Sequence, residues 1–217
     1  HYEALINLFD AMLATVPDNE IEPVKIDLLS RMEAAEKLFV NKLYDYETQM
    51  TPDGLNDDLS FKKEGFSTTL GHPLEWWGFL YEKELLTGIK NDFIRDEGIK
   101  ILETGLDIGL TDTGCFKRIL YFDDNSVPDY TDFWSQIEAI LCMGYASHCL
   151  KEDKYLEAGN KMWDFYDNYM LDKKNGGVFN EVAIDGSTVN FTKGNIWKCD
   201  HHAFRVCERI LKYKLLG

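Results

Sequence analysis

No apolar run in this sequence approaches the 18 residues that a membrane-spanning helix needs, so no segment is read as crossing a bilayer. An excess of basic side chains is also missing. Thirty-eight acidic residues against 23 basic ones give a net charge of −15, which argues against nucleic acid and against an anionic membrane as partners. The five cysteines, Cys115, Cys142, Cys149, Cys199 and Cys207, show no CxxC spacing, and an odd number fits neither a disulfide framework nor structural zinc. Cys142 and Cys149 lie in an apolar helical run and read as core thiols. No signal peptide is visible, which together with the cysteine usage points to a reducing, cytoplasmic setting. The chain opens at His1 without a methionine, so more sequence is expected upstream. No ligand spacing indicates a metal.

What remains is a 217-residue chain with 45% hydrophobic and 13% aromatic residues, the composition of one packed domain spanning residues 1–217. Helical periodicity places helices over about 2–14, 24–43, 72–86, 92–109, 132–150, 155–171 and 200–215, with Pro17 and Pro23 bracketing the first connection. Tight links join the helices in pairs. Three long excursions, 44–70, 111–130 and 172–196, separate the pairs and carry short strand signals, including a hairpin turn at Asp185-Gly186. Helices that follow a long excursion begin at intervals of roughly 60–70 residues, the sign of a helical-hairpin repeat. Stacked hairpins bury their faces against neighbours, with alternate helices forming an inner layer. The expected fold is therefore all-α: an α/α toroid, in part, with short β-hairpins in the long loops. A closed ring of six hairpins would need nearly twice this length.

In such an arc the inner helices open their N-termini on the face that carries the long loops, a natural ligand pocket. Gly71-His72-Pro73-Leu74-Glu75 starts one inner helix, with His72 as N-cap and Glu75 about one turn inside on the same face. The helix N-terminus and the carboxylate act on the imidazole in opposite senses, a balance suited to a general acid/base. Phe133, Trp134, Gln136 and Glu138 begin the next inner helix; Trp197, Lys198, His201, His202 and Arg205 enter the last, and His1 heads the first. Two imidazoles facing a pocket with aromatic walls suit proton transfer at carbon. His72 and His202 on opposite sides of an open-chain sugar would remove and return the C2 proton. Glu75 would tune His72, Arg205 would polarise the enediolate oxygens, and Trp134 and Trp197 would stack on the sugar.

The run Gly71-His72-Pro73-Leu74-Glu75-Trp76 resembles the GHxxEW signature of the N-acylglucosamine 2-epimerase superfamily. Residues Phe133 to Glu138 are similar to its WWxQxE segment, and Trp197 to Arg205 to its WKxxYHxxR segment, all in family order. The resemblance implies an (α/α)6 barrel, of which this chain is the C-terminal portion, and a sugar 2-epimerase or aldose–ketose isomerase without a cofactor. It implies His72 and His202 as the catalytic pair with Glu75 in support. Trp134, Trp197, Arg205, Glu138, Gln136 and His1 would contact substrate. Histidine at 201 replaces a tyrosine, and Phe133 replaces the first tryptophan. The N-terminal hairpins have no counterpart, so a longer chain or a homodimer would complete the ring. Two alternatives stand beside this expectation: a glycoside hydrolase on the same toroid using Glu75 and Glu138, and a non-catalytic sugar- or protein-binding fragment.

Overall fold

Two kinds of helix alternate along the chain, and the distribution of their buried side chains says which layer each occupies. The computed structural model describes residues 2–195, 198 and 201–216. Helix α1 spans Tyr2–Thr15, α2 Asp18–Leu38, α3 Gly71–Thr87, α4 Gly98–Gly109, α5 Phe133–Leu150, α6 Asp153–Phe165 and α7 His201–Tyr213. α5 is buried on nearly every face between Phe133 and Ala146, and a helix enclosed all round needs neighbours all round. α6 buries a single stripe, Tyr155, Ala158, Gly159, Met162 and Phe165. Accordingly α1, α3, α5 and α7 pack side by side as the inner layer, and α2, α4 and α6 back onto α1, α3 and α5. This is a partial α/α barrel, as the hairpin repeat implied. Each outer helix is followed by the same small device, an isolated bridge: Asp45 with Met50, Leu110 with Phe116, and Leu171 with Val178.

The long loops carry the strands. β1 (Ser67–Thr69) pairs antiparallel with β2 (Ile119–Tyr121), Ser67 opposite Tyr121. β3 (Tyr130–Asp132) pairs with β4 (Glu181–Ala183), which pairs with β5 (Thr188–Asn190). Only β4 and β5 make the expected hairpin, across Asp185-Gly186. β1–β2 and β3–β4 join one long loop to the next, a pairing that no local pattern encodes. β1 leads into α3 and β3 runs directly into α5, so both sheets sit at the mouth of the inner layer. Asp132 caps α5, accepting from the Ser135 amide at 2.7 Å.

Four local expectations change. α2 begins at Asp18, because the Glu20 and Ile21 amides already reach the Pro17 carbonyl; Pro23 lies inside the helix, at its sixth position, and does not end it. The stretch 92–109 is not one helix but a 3₁₀ turn, Asp92–Ile94, followed by α4. The Trp77 indole donates to the Ile94 carbonyl at 3.1 Å, and Gly98, where α4 starts, leaves room for that ring: a Cβ there would stand 3.0 Å from it. α3 begins at Gly71 with Leu70 in the cap position, so His72 is not the N-cap. Its side chain is used elsewhere. Finally, α6 is shorter than expected and passes into a π-helical turn, Tyr166–Met170, as α2 does over Phe39–Leu43.

Gln136 fastens the loop before β2 to the inner layer. Its side-chain oxygen accepts from the Phe116 amide at 2.7 Å, and its nitrogen donates to the Gly114 and Met162 carbonyls, both at 2.9 Å. The residue is fully buried, so these are bonds water cannot replace. The expected substrate contact at Gln136 is thereby corrected to a structural tie. Replacing it by leucine removes the side-chain partner of the buried Phe116 amide and Gly114 carbonyl, while the Met162 carbonyl keeps the Tyr166 amide, and is expected to lower stability by roughly 2–4 kcal/mol in urea unfolding.

Candidate functional site

At the mouth of the inner layer α3 and α5 come very close. A Cβ on Gly71 would lie 2.9 Å from the Trp134 ring, so glycine at the first position of α3 is what lets the indole lie across the helix start. His72 stands edge-on to one part of this indole, ring centroids 4.9 Å apart, and His202 from α7 stands edge-on to it at 5.9 Å. The two imidazoles that the motifs single out, 130 positions apart in the sequence, thus flank one tryptophan.

Each imidazole is held through Nδ1 by an acidic side chain. For His202 the partner is Glu138, at 2.8 Å. For His72 it is Asp53, at 3.1 Å, and not Glu75. The reason is directional. His72 sits in the first turn of α3 beside the β1 edge, whereas Glu75 points down the barrel axis towards Glu138. Asp53, read in the sequence only as part of a Pro-Asp-Gly turn, is itself fastened: its Oδ2 accepts from Thr69 at 3.0 Å and Ser67 at 3.3 Å. Burial pushes the Asp53 carboxyl up, but the His72 contact and the Thr69 donors outweigh it and hold the group below its usual 3.8. A cleft of about 330 Å³ opens beside the pair, lined by Leu43, Thr51, Pro52, Asp53, His72 and Trp76.

Below His202 lies a column of buried charge. Glu138, 2% exposed, accepts from Arg205 at 2.7 Å through its other oxygen. Arg205 also meets Glu3 at 2.9 Å and Glu82 at 3.5 Å and lies over the Phe79 ring, 5.0 Å from its centre. Glu82 continues to Arg209 at 2.5 Å, and Arg209 to Asp10 at 3.2 Å and Asn7 at 2.9 Å. Arg205, read in the sequence as polarising substrate oxygens, is enclosed by carboxylates and secures Glu138. Glu138, likewise expected at substrate, is occupied by His202 and Arg205. His201 reaches back to Glu3 at 2.7 Å. His1 and Trp197, and the cap expected at Asp200, lie outside the described residues.

Sequence inspection missed Asp53, Glu3, Glu82 and Arg209. A signal existed for two of them. Glu82 follows Glu75 by seven positions on α3 and Arg209 follows Arg205 by four on α7, spacings that stack groups along one helix face. Among the described residues, Glu75, Glu138 and His202 bring ligand atoms within 4.8 Å of one another, a spacing that could hold a cation. The Arg205 guanidinium already supplies positive charge at that point.

The Glu75 carboxyl is driven well above the ordinary range, first by burial and then by the charge of Glu138, against a smaller opposing effect of Arg205. Burial and Glu138 both favour its protonated form. A carboxyl whose folded pKa lies above its unfolded value of 4.5 binds more protons folded than unfolded, so stability declines as pH rises through that window. Glu75→Gln removes this burden. The variant is expected to melt higher than the parent near pH 7, with the difference closing as pH falls towards 4.5; a difference that stays constant with pH would contradict the assignment.

A family model described as N-acylglucosamine 2-epimerase matches residues 3–204. The cellobiose 2-epimerase of Ruminococcus albus is 28% identical over 159 residues, covering 71% of this chain and 40% of that protein. Among solved structures, the cellobiose 2-epimerase of Bacillus thermoamylovorans superposes with a TM-score of 0.81 at 20% identity, over 98% of this chain and 52% of that one. A D-mannose isomerase superposes with a TM-score of 0.77 at 15% identity, over 98% and 56%. At such identities the structural likeness is one of fold. The chain spans about half the length of the proteins it matches.

Proposed function

Because the chain belongs to the N-acylglucosamine 2-epimerase family, we propose that it acts on a sugar as a 2-epimerase or aldose–ketose isomerase, by proton transfer between two histidines. The observation that carries this reading is that His72 and His202 both meet the ring of Trp134, each secured through Nδ1 by an acid. That arrangement leaves the other ring nitrogen of each to meet a substrate.

In the open-chain aldose, one imidazole takes the proton from C2. The electron pair of the broken C–H bond forms the C1–C2 double bond, and the carbonyl electrons move to O1, giving an enediolate. Return of a proton to C2 from the opposite imidazole restores the aldehyde with C2 inverted. Return to C1, with the O2 proton passing to O1, gives the ketose. Trp134 offers an apolar face for the carbons between the two bases. Glu75, carrying a proton, can donate a hydrogen bond where an ionised carboxylate could not. The mechanism uses neither redox cofactor nor metal.

A sugar pocket bounded on all sides needs the rest of the ring, which this reading takes from a longer chain or a second copy. It places the enzyme in the cytoplasm, a setting in which free thiols such as Cys115 and Cys142 persist. A hydrolytic mechanism would need two available carboxyls. Of the pair at hand, Glu138 is already committed to His202 and Arg205.

The test is isotope exchange. Incubation with cellobiose, D-mannose or N-acetylglucosamine in D2O should place deuterium at C2, or at C1 for an isomerase, as read by proton NMR. His72→Ala and His202→Ala should each slow exchange by roughly 10²–10⁴-fold. Exchange that persists in both variants would remove the two-histidine mechanism. Release of reducing ends from an oligosaccharide without exchange would favour hydrolysis.

A further inference from the structure

The first histidine carries an acid that no part of the α3 motif supplies. We propose that Asp53 is a positioning residue for His72, fixing the imidazole with its proton on Nδ1 and its Nε2 lone pair free for the substrate. This rests on the two-histidine mechanism for its catalytic meaning, but its structural content can be tested without it.

Three observations support it. Asp53 comes from the loop before β1, 19 positions from His72, and its Oδ1 lies 3.1 Å from Nδ1. A carboxylate can only accept, so the proton on that line belongs to the ring. The carboxylate is itself immobilised: its amide donates to the Ser67 carbonyl at 2.9 Å, and the Ser67 and Thr69 hydroxyls hold Oδ2. The tie therefore runs from a loop, through the β1 edge, to the base of α3. Third, the two histidines receive the same treatment from unrelated parts of the chain. Glu138 on α5 meets Nδ1 of His202 at 2.8 Å, as Asp53 meets Nδ1 of His72.

A mobile imidazole would divide its population between two tautomers and several ring angles, and only part of it would present a base to carbon. A second partner on the ring is the usual remedy, since the hydrogen bond at one nitrogen determines the state of the other. Other contacts on His72 do not supply this. Trp134 meets the ring edge-on and offers no charge, and His202 is bonded through Nδ1 to Glu138. Among the described residues Asp53 is the ionised group bonded to His72.

Asp53→Asn is the diagnostic change, because the amide is nearly isosteric and keeps an acceptor for Thr69, yet can turn its NH2 to Nδ1 and so drive the ring proton to Nε2. Long-range 15N–1H spectra of histidine-labelled protein report the tautomer, with the His72 signals assigned by their loss in His72→Gln. The parent is expected to show the Nδ1–H form, and Asp53→Asn a substantial Nε2–H population at an unchanged melting temperature. In C2 exchange, kcat should fall by roughly a hundredfold with KM within about twofold, and Asp53→Glu should recover part of it. An Nε2–H tautomer in the parent, an unmoved tautomer in Asp53→Asn, or a moved tautomer with unchanged kcat would each overturn the assignment. If the parent exchanges none of the sugars, the proposed reaction fails, while the tautomer spectra still decide what Asp53 does to His72.

Discussion

One guanidinium, that of Arg205, holds the inner layer together. It belongs to α7 and meets Glu3 of α1, Glu82 of α3 and Glu138 of α5, one carboxylate from every other inner helix. Taking so many charges out of water costs several kcal/mol per ion, and the attraction among them offsets this only when each is bonded from more than one side. Here that condition is met: Glu138 is shared with His202, Glu82 with Arg209, and Glu3 with His201. Apolar packing alone would leave the rotation of each inner helix loosely determined. Charges that must meet at one point on the axis leave each helix a single acceptable rotation and height.

The two histidines depend on this constraint to different degrees. His202 stands on it directly, through Glu138, and inherits its position from the axis. His72 is referred to the rim, where Asp53 and the β1 edge hold it from the loop side. The link between them is Trp134, on α5 with Glu138, seated over the start of α3 by the absence of a side chain at Gly71. A rigid core and a separately braced rim thus converge on one indole. Placing reactive groups on packed elements, with loops supplying the brace, gives them a definition that loops alone do not.

Some of this was visible in the amino-acid order and some could not be. The alternation of enclosed α5 with one-striped α6 is written in the residue pattern, and so was the spacing of hairpins. The residues that gather at the mouth, His72, Trp134 and His202, sit in short motifs whose composition already suggested a site. The partners of those residues were far less legible. Asp53 looks like any acid in a turn, because its role comes from β1 pairing with β2, a contact 54 positions apart between Ser67 and Tyr121. Gln136 and Arg205 carry the chemistry of substrate contacts, but burial turns both inward, and which way a helix faces depends on neighbours far away in the chain. His72 was expected as a cap because Pro73 follows it; the backbone entered the helix two residues sooner, from a strand, so the histidine was left free to reach Asp53.

The protonated state of Glu75 follows from the same column and bears on what the site can stabilise. A protein with a net charge of −15 is a poor setting for an enediolate, whose added negative charge would raise the local potential further. Near His202 the charges are arranged otherwise. Glu138 is matched by Arg205 at 2.7 Å, and burial and Glu138 both favour the uncharged form of Glu75. In its protonated form Glu75 can donate a hydrogen bond, which in the proposed chemistry would meet the developing negative charge. Were Glu75 ionised, a carboxylate within 4.8 Å of Glu138 and His202 would repel the enediolate. The Arg205 junction thus sets the inner helices, while burial first and then Glu138, against a smaller opposing effect of Arg205, favour the protonated form of Glu75 that the proposed chemistry uses.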